Sequence, residues 1–484
     1  MNQYKKIYLL AAILFIVAAY FSAGFYQFDE HNQVMEFAGL KLGLTEKQNL
    51  SWEYGAQMRS AIQPFMVYVT HKVFGILSID SPFTIAFIMR LFSAALSFLS
   101  IHLLIKAFID KINGEKLKLT FVLLSFFLWF TVFNVVRFSS ENIGGRLFII
   151  AFSLFIIWKG LSKKQYFILG LILGLSFLFR YQNAFLIVGF VAWLFFINKS
   201  KFNDLLLLAG GVILMFGLGI LIDKWFFEEW VLSTWNYFDE NMLQHKMEGF
   251  GISPWHYYFV QIFNVGIPPF SLLYIVPFVL LVIFRWKNPL VWIILPFLLI
   301  HIYIGHKELR FIFPVLGFIP LLAVQAGEVI NGKWKGLLQS KFFKVFAVLF
   351  WIQNGLFLLI VSFKAADSQV ALYEKLYNRY DKPTVVFYIK DNPYVRAMDV
   401  HYYKRKNLTV EGIHSINEIR LPKDCVVLFS SVKPEEQILM DSKYELIYNS
   451  HPEWIKKFNV FHWVDRTHFW RVYEISNLHS PDKK

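Results

Sequence analysis

Long apolar runs recur along this chain, and they restrict its fold more than any motif does. The first is "IYLLAAILFIVAAYFSA", residues 7–23. A helix of about 20 mostly apolar residues crosses the hydrocarbon core of a bilayer. Backbone groups in lipid must be satisfied within the segment, so each such run is expected to be helical. Spans are predicted near 6–24, 83–105, 119–136, 143–158, 165–179, 184–198, 204–222, 264–284, 288–304, 309–326 and 343–363. The expected fold is an all-α polytopic membrane protein with about eleven transmembrane helices and a small C-terminal α/β domain. Composition agrees: 17% of the 484 residues are charged, against about a quarter in soluble domains. Lys5 and Lys6 before the first run also fit a cleaved signal peptide. The length of the run and the spans that follow favour an uncleaved first helix.

The short loops set the orientation. Lys-rich segments at 5–6, 106–118, 159–164, 199–201, 285–287 and 333–344 alternate with lysine-poor ones. The positive-inside rule puts them on the cytoplasmic side. The net charge of +14 therefore reads as membrane topology, and no nucleic-acid partner is expected. An odd number of spans leaves the C-terminus outside. Three larger pieces then face outward: the loops at about 25–82 and 223–263, and a tail at 364–484. Residues 1–363 form the transmembrane domain. The tail carries strand-like runs, "TVVFYI", "CVVLFSS" and "YELIYN", and reads as a soluble α/β unit that folds separately. With Cys425 as the single cysteine, there is neither an intramolecular disulfide nor a zinc–thiolate cluster.

The unusual polar clusters fall on that outer face: "QFDEHNQ" (27–33), "RFSSENIGGR" (137–146), "FRYQNAF" (179–185), "IDKWFFEEW" (222–230) and "GHKELRF" (305–311). Ionisable groups at membrane depth are costly and mark function. Each has a plainer reading. Asp29 and Glu30 also suit a solvated helix end. Arg137, Arg146 and Arg180 also suit interfacial anchors, and Asp223 with Lys224 a local ion pair. His306, Lys307, Glu308 and Arg310 are too dense for anchoring alone. Arg and Lys grip phosphate through charge-assisted bonds, and a carboxylate can serve as general base. Sugar transfer from a lipid phosphate needs both. Trp52, Trp255, Tyr257 and Tyr258 offer stacking faces for sugar, or interfacial belts. No P-loop, dinucleotide fingerprint or His/Cys metal spacing is present.

"HKELRFIFP" at 306–314 resembles the His-Lys-Glu-x-Arg-Phe signature of glycosyltransferase family 22. This mannosyltransferase family extends dolichol-linked oligosaccharides and GPI-anchor precursors. "FDEHNQVMEFA", "SWEYGAQMRSAIQP" and the 222–259 stretch resemble its other segments in order, so the likeness runs over roughly residues 20–325. Gln27 and Phe28 stand where the family usually has His-Pro. The resemblance implies a GT-C fold and a polyprenyl-phosphate sugar donor, undecaprenyl or dolichyl, carrying mannose. It also implies inversion at the anomeric carbon, with no metal or other cofactor. Asp29 is then the base, and Glu30 positions it or the acceptor. His306, Lys307 and Arg310 hold the donor phosphate, and Arg180, read from its place between two apolar runs, is expected to join them as an inward ligand. Trp52, Glu53, Arg59, Asp223, Trp255 and Tyr258 face a glycan or glycolipid acceptor. A transporter or flippase of lipid-linked saccharide, or an O-antigen polymerase or ligase, would use a similar basic cluster. The small tail and short loops favour a bacterial inner membrane over the endoplasmic reticulum, with the active site extracytoplasmic.

Overall fold

The structure is a computed structural model that describes residues 2–395, 398–415, 426–432, 444–452 and 469–475, together with 418, 454, 457, 459, 462, 464 and 467. Cys425 lies outside the described residues. The main helices are α1 Lys5–Phe21, α2 Pro82–Phe108, α3 Glu115–Phe127, α4 Trp129–Val135, α5 Ser140–Ile157, α6 Lys163–Phe179, α7 Ala184–Phe196, α8 Phe202–Phe227, α9 Leu272–Phe284, α10 Pro289–Tyr303, α11 Ile319–Lys333, α12 Lys341–Phe363 and α13 Gln369–Arg379. Every predicted span overlaps one or two of them; those at 264–284 and 309–326 start ahead of α9 and α11. Their starts follow the sequence. Ser139 caps α5, a Ser162–Gln165 capping box starts α6, and Asn288 with Pro289 at the first helical position starts α10.

Among the described residues, five helical stretches are long and apolar enough to span by themselves, and two bent pairs raise that to seven. The other expected spans are shorter helices: α1 and α6 have 17 residues each and α7 has 13. α9 and α10, expected as two spans, are joined at a bend of 117°. The expected 119–136 span is broken between α3 and α4 by 46°. Leu128 there is extended, and the Asn354 side chain takes the place of the lost helical bonds. Its Oδ1 accepts from Trp129 N at 3.0 Å and its Nδ2 donates to Phe127 O at 2.7 Å. A break at membrane depth persists where such a side chain satisfies the freed backbone.

The chain divides into two compact units. The first comprises 1–22, 52–66 and 87–364. Within its largely aliphatic core, Phe148, Phe152, Phe190 and Phe318 meet edge to face at 5.6–6.3 Å, the geometry ring quadrupoles prefer.

The second unit comprises 23–51, 67–86 and 365–484. It contains a five-stranded sheet of β1 Thr384–Ile389, β2 Leu408–Gly412, β3 Val426–Val432, β4 Tyr444–Asn449 and β5 Phe469–Ile475, in the order β2-β1-β3-β5-β4. β1 pairs parallel with β2 and β3, and β5 antiparallel with β3 and β4. α13 buries Val370, Leu372, Tyr373 and Leu376. The tail therefore shares its unit with residues 23–51 and 67–86. At Gly24 (φ +90°) a Cβ would lie 2.8 Å from Asp367 N, so the close approach of 23–24 to the start of the tail needs glycine.

Candidate active site

The first unit gathers Glu141, Arg180, Glu308 and Arg310 from three elements. Glu141 sits in the first turn of α5, where the helix N-terminus favours a carboxylate. Arg180 is the residue that ends α6. Glu308 and Arg310 flank the start of the Leu309–Phe318 3-10 helix. Gly145 brings two of these together: a Cβ there would lie 2.6–2.8 Å from Pro314 backbone atoms, so only glycine lets α5 pack against the 3-10 helix. From the α6 side, Ser176 Oγ donates to Gly144 O at 2.7 Å, and Asn183 Nδ2 donates back to Ser176 Oγ at 3.0 Å.

The result is a chain of alternating charge. Arg180 Nη1 lies 3.0 Å from Glu141 Oε1, and Arg310 Nη1 is 3.7 Å from the same oxygen. Arg310 forms a fork with Glu308, Nε at 2.8 Å and Nη2 at 2.9 Å, and His306 Nε2 is 3.3 Å from Glu308 Oε1. Arg180 and Arg310 lie 5.2 and 5.4 Å from the Phe311 ring centroid. Two arginines and two carboxylates balance, so the cluster is less basic than its sequence reads. Arg180 keeps capacity in reserve: it is buried, and its Nε and Nη2 have no hydrogen-bond partner among the described residues. The buried Tyr258 hydroxyl and His301 Nε2 are in the same condition.

Lys307 is placed differently from an open phosphate ligand. Its Nζ donates to three backbone carbonyls, Ile304 at 2.5 Å, Ser253 at 2.9 Å and Gly305 at 3.4 Å. An ammonium has three donors, and all are engaged. Burial lowers its pKa from the ordinary lysine value. His306 Nδ1 lies 3.0 Å from Gly251 O, so both residues tie the 251–253 loop to the signature segment.

A second polar group in this unit joins other predicted residues. Glu53 pairs with Arg59 at 2.5 Å, and Arg59 lies over the Tyr237 ring. Asp223 accepts from Ala61 N at 2.7 Å and from Ser233 Oγ, while Tyr181 Oη is 2.7 Å from Ser233 Oγ. The expected Asp223–Lys224 pair is not what forms: Lys224 Nζ lies 3.8 Å above the Trp230 ring. Trp52 stacks on Phe250, and Trp255 is exposed. Arg137 and Arg146 are buried, unlike interfacial anchors; Arg146 Nε donates to Asn142 Oδ1 at 3.1 Å.

Asp29 and Glu30 belong to the second unit, in the short Phe28–His31 helix. Both are half-buried, and Glu30 Oε2 accepts from Tyr26 N at 3.2 Å.

Comparison with known proteins adds to this geometry. The family model described as the Alg9-like mannosyltransferase family matches residues 6–399. Human GPI alpha-1,2-mannosyltransferase 3 is 28% identical over 284 residues, 56% of this chain and 48% of that protein. Mannosyltransferase APTG1 of Arabidopsis thaliana is 27% identical over 321 residues, 64% of this chain and 56% of that protein. The chain thus spans about half the length of the curated relatives it matches. Among solved structures, ArnT from Cupriavidus metallidurans in the apo state aligns over 99% of both chains with a TM-score of 0.50 at 10% identity, a likeness of fold. Since the family match runs from the first helix past the first strand of the sheet, the chain belongs to the Alg9-like mannosyltransferase family.

Proposed function

We propose that this protein is an inverting membrane mannosyltransferase that takes its sugar from a polyprenyl-phosphate donor and passes it to a glycan or glycolipid acceptor on the extracytoplasmic face. The observation that carries the reading is Arg180, a buried guanidinium with two uncommitted nitrogens beside the Glu141–Arg310–Glu308 chain. As the bond from the anomeric carbon to the phosphate oxygen breaks, the bonding pair stays on the phosphate, which goes from one negative charge to two. A fixed donor that meets this developing charge stabilises the transition state more than the bound substrate. Arg310 can turn its fork from Glu308 to phosphate, because both offer paired oxygens. Lys307 and His306 support these arginines by holding the loop; Lys307 meets phosphate only by releasing carbonyls.

The acceptor hydroxyl attacks the anomeric carbon from the side opposite the phosphate, and its proton goes to a carboxylate. Asp29 takes that role by its likeness to the family's first-loop motif, with Glu30 beside it. The acceptor side is assigned to Trp52, Glu53, Arg59, Asp223, Trp255 and Tyr258. The names of the curated relatives support mannose as the sugar. The test is purified full-length protein given a panel of polyprenyl-phosphate sugars and candidate glycan acceptors, with mass detection of both products. Mannosylated acceptor and free polyprenyl phosphate in equal amounts are expected. Saturable donor binding without turnover across the panel would favour a saccharide transporter instead.

A further inference from the structure

The second unit holds a buried carboxylate that the proposed chemistry does not use. Glu36 is fully buried, five residues past the Phe28–His31 helix, at the end of a π turn over Asn32–Glu36. Such π turns are rare and frequent at functional sites. Its oxygens collect four partners. His31 Nε2 is 2.7 Å from Oε1, and Thr45 Oγ1 donates to Oε2 at 2.5 Å. The backbone amides of His401 and Tyr402 donate to Oε1 at 2.8 and 3.0 Å. Two partners come from the acidic loop itself and two from the C-terminal tail. A carboxylate offers about four lone-pair sites, and its bonds to N–H groups are charge-assisted.

A ring stack runs beside this node. Phe25 and His31 stack at 4.9 Å, His31 and Tyr403 at 5.2 Å, and Tyr403 and Phe83 at 4.8 Å. The four rings come from the acidic loop, the 67–86 segment and the tail. Ala366 N and Asp367 N both donate to Ala23 O, which fastens the other end of the loop.

We infer that Glu36 is a positioning residue: it fastens the segment carrying Asp29 and Glu30 to the tail backbone at His401–Tyr402, so that the tail sets the geometry of the acidic loop. The inference rests on the reading of Asp29 as the base. The tail then acts in the reaction without supplying a reacting group. Glutamine at 36 keeps one oxygen for the two amides, so it preserves part of the tie; alanine removes all of it.

The experiment compares full-length wild type, Glu36→Ala, Glu36→Gln and Asp29→Asn. It reads amide hydrogen exchange together with donor KM and kcat. Glu36→Ala should lose protection at His401, Tyr402 and across 28–45. It should lower kcat by about tenfold or more with donor KM within about threefold, the pattern of a group felt in the transition state only. Glu36→Gln should restore most of both. Should the alanine variant fail to fold, Glu36→Gln is still expected to show faster exchange at 401–402 and a smaller fall in kcat. Unchanged exchange at 401–402, or unchanged kcat in both Glu36 variants while Asp29→Asn is inactive, would overturn the inference. Normal turnover in Asp29→Asn would overturn the base assignment instead, and the exchange data would then decide the tie alone.

Discussion

Arg180 shows how burial changes the meaning of a charge. An exposed arginine that pairs with glutamate gains little. A buried one that loses its partner leaves an uncompensated charge, at a cost of about 3–5 kcal/mol. Glu141→Ala should therefore destabilise the protein by about that amount, read as a drop in thermal stability in detergent or nanodisc. Arg310→Ala should weaken apparent donor affinity by about one to two decades, from the loss of about 1.5–3 kcal/mol of charge-assisted bonding. Lys307→Met should act mainly on stability, because the ammonium bonds Ser253, Ile304 and Gly305 carbonyls. Glu36 gives a pH prediction. Burial raises its pKa, but bonds from His31, Thr45 and Tyr402 outweigh burial and bring it below the ordinary carboxylate value. Its contribution to stability is thus complete above its unfolded pKa and lost as pH falls through the folded one; in Glu36→Gln that part of acid sensitivity should be missing. The cluster at 306–310 was legible in sequence because its charges are adjacent. Glu141 was not: a single acidic residue after Ser139-Ser140 reads as a helix start, and nothing local names Arg180 as its partner.

At the level of elements, apolar runs announced the helices, since period and length are local properties. Their breaks were invisible. The bend at Leu128 depends on Asn354, far along the chain, which replaces the missing backbone bonds. Asn354→Leu keeps the volume and removes both bonds. It should cost more than about 1 kcal/mol, because buried donors and acceptors are left unmade. The junction of α5 with the 3-10 helix offers a sharper test. Gly145→Ala places a Cβ against Pro314 backbone, which cannot rotate away as a side chain can. Overpacking of this kind costs about 1–3 kcal/mol. It should also move Glu141 relative to Arg310, so donor KM should rise together with the loss of stability.

For the whole molecule, the sequence marked the tail by its strand-like runs and placed a boundary near residue 364. It did not reveal that residues 23–51 and 67–86 join the same compact unit, because the bonds from Glu36 to His401 and Tyr402 link positions with no shared local pattern. The proposed orientation predicts that a reporter active only in the cytoplasm, fused after residue 364, stays silent. The central claim is that Arg180, buried and with two nitrogens not hydrogen-bonded among the described residues, serves a lipid-phosphate sugar donor. It is tested most directly by the release of polyprenyl phosphate from polyprenyl-phosphate mannose, measured by mass spectrometry with acceptor present, in purified wild type and Arg180→Met. The account predicts steady release by the wild type and a fall of about a hundred- to a thousandfold in the variant, since removing one donor to a developing charge costs about 2.7–4 kcal/mol elsewhere. Equal release by both proteins, or no release by the wild type with any polyprenyl-phosphate sugar and acceptor, would contradict it.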